Sequence, residues 1–155
     1  MEQLAGIHDF VDQAAAELGL GEDDAFACRL AADEAAANAF EHAYAGRPGK
    51  VELSILCDAH EISLEVRNWG NPFDPAAIAE PSIDRPLEER QVGGLGIFLI
   101  RKFMNQVSFG FHAQEGNTIT MRRRLGTSPE SRVLSPKSAP SDFGLRTRDS
   151  GLGTD

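Results

Sequence analysis

Hydrophobic residues recur at helical spacing through the first part of the chain. Over residues 2–18 they lie three or four positions apart, which is typical of the buried face of a helix. These residues are Leu4, Ile7, Phe10, Val11, Ala14, Ala15 and Leu18. Gly19 and Gly21 end this helix. A second helix is predicted to begin near Glu22, where acids suit the positive end of the helix dipole, and to run to Tyr44.

Hydrophobic and polar residues then alternate, which is the pattern of strands with one buried face. The alternation covers residues 51–56 and 62–67, and a turn at residues 58–61 joins them as a hairpin. Two further strands are predicted near residues 106–112 and 117–124. Helical and strand periodicities therefore share one chain of 155 residues, a length that fits one domain with a sizeable core.

The second half of the chain contains two segments of unusual composition. Residues 76–92 form a long polar connection, and such connections inside a compact domain are usually functional or mobile. An apolar helix follows from residue 97. After residue 125, Ser, Pro, Gly and Thr dominate, and such a segment buries too little surface to offset its ordering entropy. We therefore expect a domain over residues 1–125 and a disordered tail over residues 126–155.

Charge and composition argue against several classes of protein. The net charge of −9 argues against binding nucleic acid by neutralising its phosphates. No apolar run is long enough to span a bilayer, and the N-terminus lacks the basic and apolar regions of a signal peptide. Cys28 and Cys57 are the only cysteines, and we expect both to be core residues of a cytoplasmic protein.

The candidate chemistry begins with a polar stripe on the second helix. Glu34, Asn38 and His42 recur every four residues, which on a helix places them within about 80° of arc. Alanines lie between them and allow a ligand or another element to come close. A solvated face of a surface helix shows the same spacing, so the stripe alone leaves both interpretations open.

A glycine-rich turn provides the second candidate feature. Residues 93–96, Gly-Gly-Leu-Gly, lead into the apolar helix, whose first N–H groups and dipole suit a phosphate. The turn lacks the Lys-Ser/Thr of a P-loop and does not follow a strand as a Rossmann fingerprint does. Asn38 offers an oxygen to Mg²⁺, which also takes phosphate oxygens, and Glu34 could accept a proton. Together these residues describe an ATP–Mg²⁺ site with a base beside it.

Three motifs follow one another along the chain. They are Glu34-x-x-x-Asn38-x-x-x-His42, Asn68-x-Gly70-x-Pro72-Phe73-Asp74-Pro75 and Gly93-Gly94-Leu95-Gly96-Ile97. In this order they resemble the N, G1 and G2 boxes of the GHKL ATPase superfamily, which includes gyrase, MutL and sensor histidine kinases. The last two motifs are most similar to those of small bacterial anti-sigma factors that are also serine/threonine-protein kinases. The likeness covers about residues 1–125.

The resemblance implies a fold and a site. The fold is a two-layer α+β sandwich, in which a mixed, mainly antiparallel sheet carries helices on one face. ATP would lie between the helices and a lid formed by residues 76–92. Glu34 would be the catalytic base, and Asn38 would bind both the nucleotide and Mg²⁺. The other residues expected at the nucleotide are His42, Asn68, Gly70, Gly93, Gly94, Leu95 and Gly96.

The chain departs from the family pattern in two places. The family usually has a strand before the first helix, whereas helical spacing here starts almost at Met1. Either the first edge strand is missing or the start is assigned late. The G1 box normally opens with Asp, which accepts a hydrogen bond from the adenine amino group, and here Asn68 stands in its place. Its amide oxygen could still accept that hydrogen bond while the NH₂ donates to the ring, so retained and weakened ATP binding both stay open.

The function implied by the resemblance is that of an ATP-binding anti-sigma factor. Such a protein sequesters a sigma factor and phosphorylates Ser or Thr of a STAS-type antagonist, and a homodimer is among its expected assemblies. Two alternatives stay open. One is a non-catalytic partner-binding switch with weakened or lost ATP binding, and the other is a detached ATPase domain of the histidine-kinase type.

Overall fold

The computed structural model describes residues 2–72, 95–126 and 146–149. Its elements are α1 (Glu2–Leu18), α2 (Glu22–Asn38), a π-helix (Ala39–Ala43), β1 (Val51–Cys57), β2 (Glu61–Asn68), α3 (Leu95–Phe103), β3 (Gln106–His112), β4 (Gly116–Arg124) and β5 (Arg146–Asp149). The predicted lid at residues 76–92 lies outside the described residues. Within the described ranges, no helix has both the length and the apolarity needed to cross a bilayer.

The five strands form one sheet in the order β3-β4-β2-β1-β5. The first four pair in antiparallel fashion, and β5 runs parallel to β1. Buried and half-buried residues alternate along β1 and β2, as the hydrophobic alternation predicts. α2 lies between α1 and α3 and packs against β2 and β4. The predicted two-layer α+β sandwich with a mainly antiparallel sheet is therefore confirmed.

Small side chains allow α2 to lie close to the sheet. Its buried residues are Ala27, Cys28, Ala31, Ala32, Ala35 and Ala36. In the same core Leu53, Leu64 and Met121 are completely buried, and burial of each such side chain contributes about 1.5–3 kcal/mol.

Cys28 and Cys57 are buried free thiols, as expected. Burial raises the pKa of Cys28 to about 12, so this thiol stays protonated at neutral pH.

The last turn of the second helix differs from its prediction. α-Helical hydrogen bonding ends at Asn38, and a π-helix follows. In it, the Tyr44 N–H donates to the Ala39 carbonyl, five residues earlier, at 3.0 Å. Because a π turn contains more residues than an α turn, the α-helical spacing of Glu34 and Asn38 does not continue to His42. The predicted helix to Tyr44 is therefore α-helical only as far as Asn38 and π-helical over Ala39–Ala43.

The C-terminal segment contributes an edge strand that its composition does not predict. β5 pairs with β1 so that Ser54 lies opposite Arg146 and Cys57 lies opposite Asp149. This strand corrects the expectation of a disordered tail for residues 146–149, whereas residues 127–145 and 150–155 lie outside the described part of the chain. Among the described residues no strand precedes α1, and β5 forms the sheet edge beside β1.

Candidate functional site

A cavity lies between the C-terminal half of α2 and strands β2, β3 and β4. It contains about 320 Å³ of space that no atom fills, part of it open to solvent. Its described lining residues are Ala35, Asn38, Ala39, Asn68, Phe109, Phe111, Asn117, Thr118 and Ile119. The alanines leave room between helix and sheet, the aromatic rings supply apolar walls, and three amides supply polar groups. This combination suits a flat ligand with a polar edge, such as a nucleobase.

At one end of the cavity, Asn38 lies close to the start of α3. A Cβ atom added to Gly96 would lie 2.7 Å from Glu34 Oε2 and 3.6 Å from both polar atoms of the Asn38 amide. A larger residue would therefore fill the space that these two side chains face. The first turn of α3 also has N–H groups that no carbonyl within the helix accepts, and it carries the positive end of the helix dipole. A carboxylate, an amide and a helix N-terminus thus converge from two distant segments.

The Asn38 amide contains a buried donor with no partner. Among the described residues, its Nδ2 has no hydrogen-bond acceptor. Leaving a buried amide donor unpaired costs about 1–3 kcal/mol, so this atom is suited to a ligand that supplies an acceptor. A phosphate oxygen is such an acceptor. In the described part of the chain, no three His, Cys, Asp or Glu side chains group together to hold a metal. Mg²⁺ usually takes few protein ligands and completes its coordination with phosphate oxygens and water.

Glu34 supplies the carboxylate beside Gly96. Desolvation raises its pKa, and the negative charges of Asp33 and Glu41 raise the pKa further. A carboxylate with a raised pKa binds a proton more strongly and is a better general base. The neighbouring Asp33 makes a different contact, because its carboxylate pairs with the His8 ring of α1. Of these two acids, only Glu34 faces Gly96.

The other end of the cavity is a hydrogen-bonded pair of amides. The register of β2 and β4 places Asn68 directly opposite Asn117. Asn68 Oδ1 accepts hydrogen bonds from the Gly70 N–H and from Asn117 Nδ2, both at 3.1 Å. Asn117 Nδ2 also donates to the Gly70 carbonyl at 2.9 Å. Because a backbone N–H only donates and a carbonyl only accepts, these contacts assign the orientation of both amides.

This network changes the role expected for Asn68. Its oxygen was expected to accept a hydrogen bond from a base amino group. That oxygen already accepts two hydrogen bonds, which is the number that its lone pairs allow. The polar atom of Asn68 that remains for a ligand is therefore Nδ2, a donor.

Gly70 holds the amide pair against the π-helix. A Cβ atom at Gly70 would lie 2.4 Å from the Ala43 carbonyl oxygen. The Asn71 N–H donates to the same oxygen at 2.8 Å. The Tyr44 hydroxyl accepts a hydrogen bond from the Trp69 N–H at 2.9 Å. The turn after β2 is thus fixed to the end of the π-helix, and the approach is too close for any side chain at position 70.

The structure brings only part of the predicted site together. Of the predicted residues, Asn38 and Asn68 line the cavity. Glu34 and Gly96 adjoin it beside Asn38, and Gly70 is hydrogen-bonded to Asn68. His42 is exposed on the π-helix and is not among the described lining residues. Leu95 is the first residue of α3 and is 56% exposed. Gly93 and Gly94 lie outside the described residues.

The sequence interpretation missed the contribution of β3 and β4 to the site. Phe109 and Phe111 line the cavity from β3, and Asn117 lines it from β4. The spacing of the two phenylalanines already indicated that they share one face of a strand. Asn117, by contrast, follows a turn, where asparagine is common, and only its register opposite Asn68 reveals its role.

Comparison with known proteins agrees with this geometry. Residues 1–123 match the family model described as the histidine kinase-like ATPase domain. The serine/threonine-protein kinase BtrW of Bordetella bronchiseptica is 35% identical over 85 residues, which cover 54% of this chain and 60% of BtrW. The chain therefore spans less than two thirds of that relative.

Two further relatives carry related names. The anti-sigma F factor of Anoxybacillus flavithermus is 25% identical over 107 residues, covering 68% of this chain and 73% of the relative. The serine-protein kinase RsbW of Halalkalibacterium halodurans is 34% identical over 101 residues, covering 63% of this chain and 62% of the relative. With residues 1–123 matched, this chain belongs to the histidine kinase-like ATPase domain family.

Proposed function

We propose that this protein binds ATP with Mg²⁺, sequesters a sigma factor and phosphorylates Ser or Thr of an antagonist protein. The observation that carries the proposal is the convergence of Glu34, Asn38 and Gly96 at one end of the cavity. A base, an amide and a helix N-terminus at one point are the groups that phosphoryl transfer to a hydroxyl requires. Relatives named as serine-protein kinases and as an anti-sigma factor support the same activity and partners.

The phosphates would lie between α3 and Asn38. The N–H groups in the first turn of α3 would donate to phosphate oxygens, and the unpaired Asn38 Nδ2 would gain its acceptor there. Asn38 Oδ1 would hold Mg²⁺, which neutralises charge on the phosphates when it is bound. Gly96 would allow the phosphates into the space that a side chain would fill.

Glu34 would accept the proton of the acceptor hydroxyl. Its Oε2 lies nearest to the position of the Gly96 Cβ, so the carboxylate faces the phosphate end of the cavity. Desolvation raises the pKa of Glu34, which strengthens it as a base, and the carboxylate remains ionised above that pKa. Positioned general bases of this kind contribute about 10²–10⁴-fold to a rate.

A partner-binding switch without phosphotransfer is the second candidate. The hydrogen bonds that occupy the Asn68 oxygen favour it, because that oxygen is no longer available to an adenine amino group. The two candidates differ in whether labelled phosphate reaches the antagonist.

Variants of three side chains on α2 test the proposal. Glu34→Gln keeps the shape and removes the base, so transfer from labelled ATP to a STAS-type antagonist of the same organism should fall about 10²–10⁴-fold. Its ATP affinity, measured by calorimetry, should stay close to that of the wild type. Asn38→Ala should weaken Mg²⁺–ATP binding itself, because it removes a ligand. Glu22→Gln changes an exposed acid in the first turn of the same helix and is the matched control.

The outcomes separate the candidates. If Glu34→Gln transfers phosphate at the wild-type rate, Glu34 is a solvated helix acid and another group is the base. If the wild type binds ATP and the antagonist but transfers no phosphate, the protein is a switch. If the Glu22→Gln control loses as much activity as Glu34→Gln, the loss reflects the charge of the helix and not a base.

A further inference from the structure

We propose that the amide end of the cavity binds 6-oxopurine nucleoside triphosphates at least as tightly as ATP. The inference rests on the proposed nucleotide binding and concerns which base the cavity takes. Its basis is the hydrogen-bond network of Asn68, Gly70 and Asn117.

The network fixes which polar atoms remain for a base. Both acceptor positions of Asn68 Oδ1 are used by the Gly70 N–H and Asn117 Nδ2. Both hydrogens of Asn117 Nδ2 are used by Asn68 Oδ1 and the Gly70 carbonyl. Asn68 therefore offers Nδ2, a donor, and Asn117 offers Oδ1, an acceptor. Both residues line the cavity.

This donor–acceptor pair matches the edge of a 6-oxopurine. Hypoxanthine and guanine carry a carbonyl oxygen at position 6 next to a ring N–H at position 1. This edge of the base therefore presents a hydrogen-bond acceptor beside a hydrogen-bond donor. Asn68 Nδ2 would donate to the oxygen, and Asn117 Oδ1 would accept from the ring N–H. Adenine presents the reverse order, an amino donor next to an unprotonated ring nitrogen. Its amino group would face Asn68 Nδ2, which is also a donor, so no hydrogen bond would form there.

The depth of Asn68 places it against position 6 of the base. It is the most buried polar side chain in the described part of the chain, at 9% exposed. With the phosphates at the Gly96 end, the base edge farthest from the sugar must face the amides. The 6-substituent projects from that edge and reaches the deepest polar group. A single asparagine can form two hydrogen bonds with adenine, one through its amide oxygen and one through its amide nitrogen. Asn68 cannot bind adenine in this way, because its oxygen already accepts two hydrogen bonds.

Asn68→Asp reverses the polarity without changing the shape. One carboxylate oxygen would keep the hydrogen bonds from Gly70 and Asn117, and the other would replace the Nδ2 donor with an acceptor. That acceptor pairs with an amino group and opposes a carbonyl oxygen. Asn71→Asp adds the same charge to an exposed residue of the adjacent turn and is the matched control.

Titrations with ATP and inosine triphosphate test the inference, since these nucleotides differ only at position 6 and the adjoining ring nitrogen. Calorimetry with excess Mg²⁺ measures both affinities, and fluorescence of Trp69, the only tryptophan, reports binding independently of transfer. The wild type should bind inosine triphosphate as tightly as ATP or more tightly. Asn68→Asp should prefer ATP by about tenfold, the effect of one mismatched buried hydrogen bond. Asn71→Asp should keep the wild-type ratio.

Each outcome of these titrations leads to one conclusion. A wild-type preference for ATP larger than the error of the titrations would overturn the inference and leave the proposed function intact. An unchanged ratio in Asn68→Asp would also overturn it, because position 68 would then not face the 6-substituent. If neither nucleotide binds, the proposed nucleotide site itself fails, and the inference fails with it.

Discussion

Replacing Gly70 with alanine tests how closely the turn after β2 approaches the π-helix. The new Cβ atom would lie 2.4 Å from the Ala43 carbonyl oxygen and 2.6 Å from its carbonyl carbon. These distances are about 1 Å shorter than favourable van der Waals contacts. Because both atoms belong to the backbone, no side-chain rotation relieves the overlap, and the turn must move away.

A movement of about 1 Å would weaken the hydrogen bonds around Gly70. They are the Asn71 N–H to the Ala43 carbonyl at 2.8 Å, the Gly70 N–H to Asn68 Oδ1 at 3.1 Å, and Asn117 Nδ2 to the Gly70 carbonyl at 2.9 Å. Overpacking costs about 1–3 kcal/mol, and each lost hydrogen bond costs about 1 kcal/mol. We therefore expect the free energy of unfolding to fall by about 2–4 kcal/mol and Tm to fall by roughly 5–15 °C.

Urea denaturation followed by far-UV circular dichroism measures this loss. Gly126→Ala is the matched control, because a Cβ atom there meets nothing within 4 Å. A loss below about 1 kcal/mol for Gly70→Ala, or one equal to that of the control, would refute the close approach. The variant should also bind nucleotide more weakly, since the same movement separates Gly70 from Asn68.

Two further perturbations address Glu34 and the edge of the sheet. Because desolvation raises the pKa of Glu34 above its ordinary 4.5, the phosphotransfer rate should rise as pH increases through that raised pKa and level off above it. Glu34→Gln should abolish this dependence of the rate on pH. A wild-type rate that stays constant down to pH 4.5 would contradict the role of Glu34 as the base. Deleting residues 127–155 should expose the outer edge of β1, so amide hydrogens within Ser54–Cys57 should exchange faster while those of β2 keep their rates. Unchanged exchange in β1 would show that β5 does not protect this edge.

The sequence by itself determined the elements that depend on near neighbours. Burial of one face imposes a period of 3.6 residues on a helix and 2 on a strand, so α1, β1 and β2 were visible as periodic hydrophobic residues. The placement of Glu34 and Asn38 on one side of α2 follows from the same local geometry. The glycine at position 96 was recognisable as a candidate because a glycine-rich turn at a helix N-terminus suits a phosphate.

Only the tertiary structure decided how the far end of the cavity is built. Asn117 became a candidate site residue because β4 pairs with β2 in a register that places it opposite Asn68. The same pairing occupied the Asn68 oxygen and left its nitrogen for a ligand. The π-helical hydrogen bonding over Ala39–Ala43 and the pairing of β5 with β1 were likewise visible only in the structure. Strand register and side-chain hydrogen bonds join residues far apart in the chain, so no local period records them.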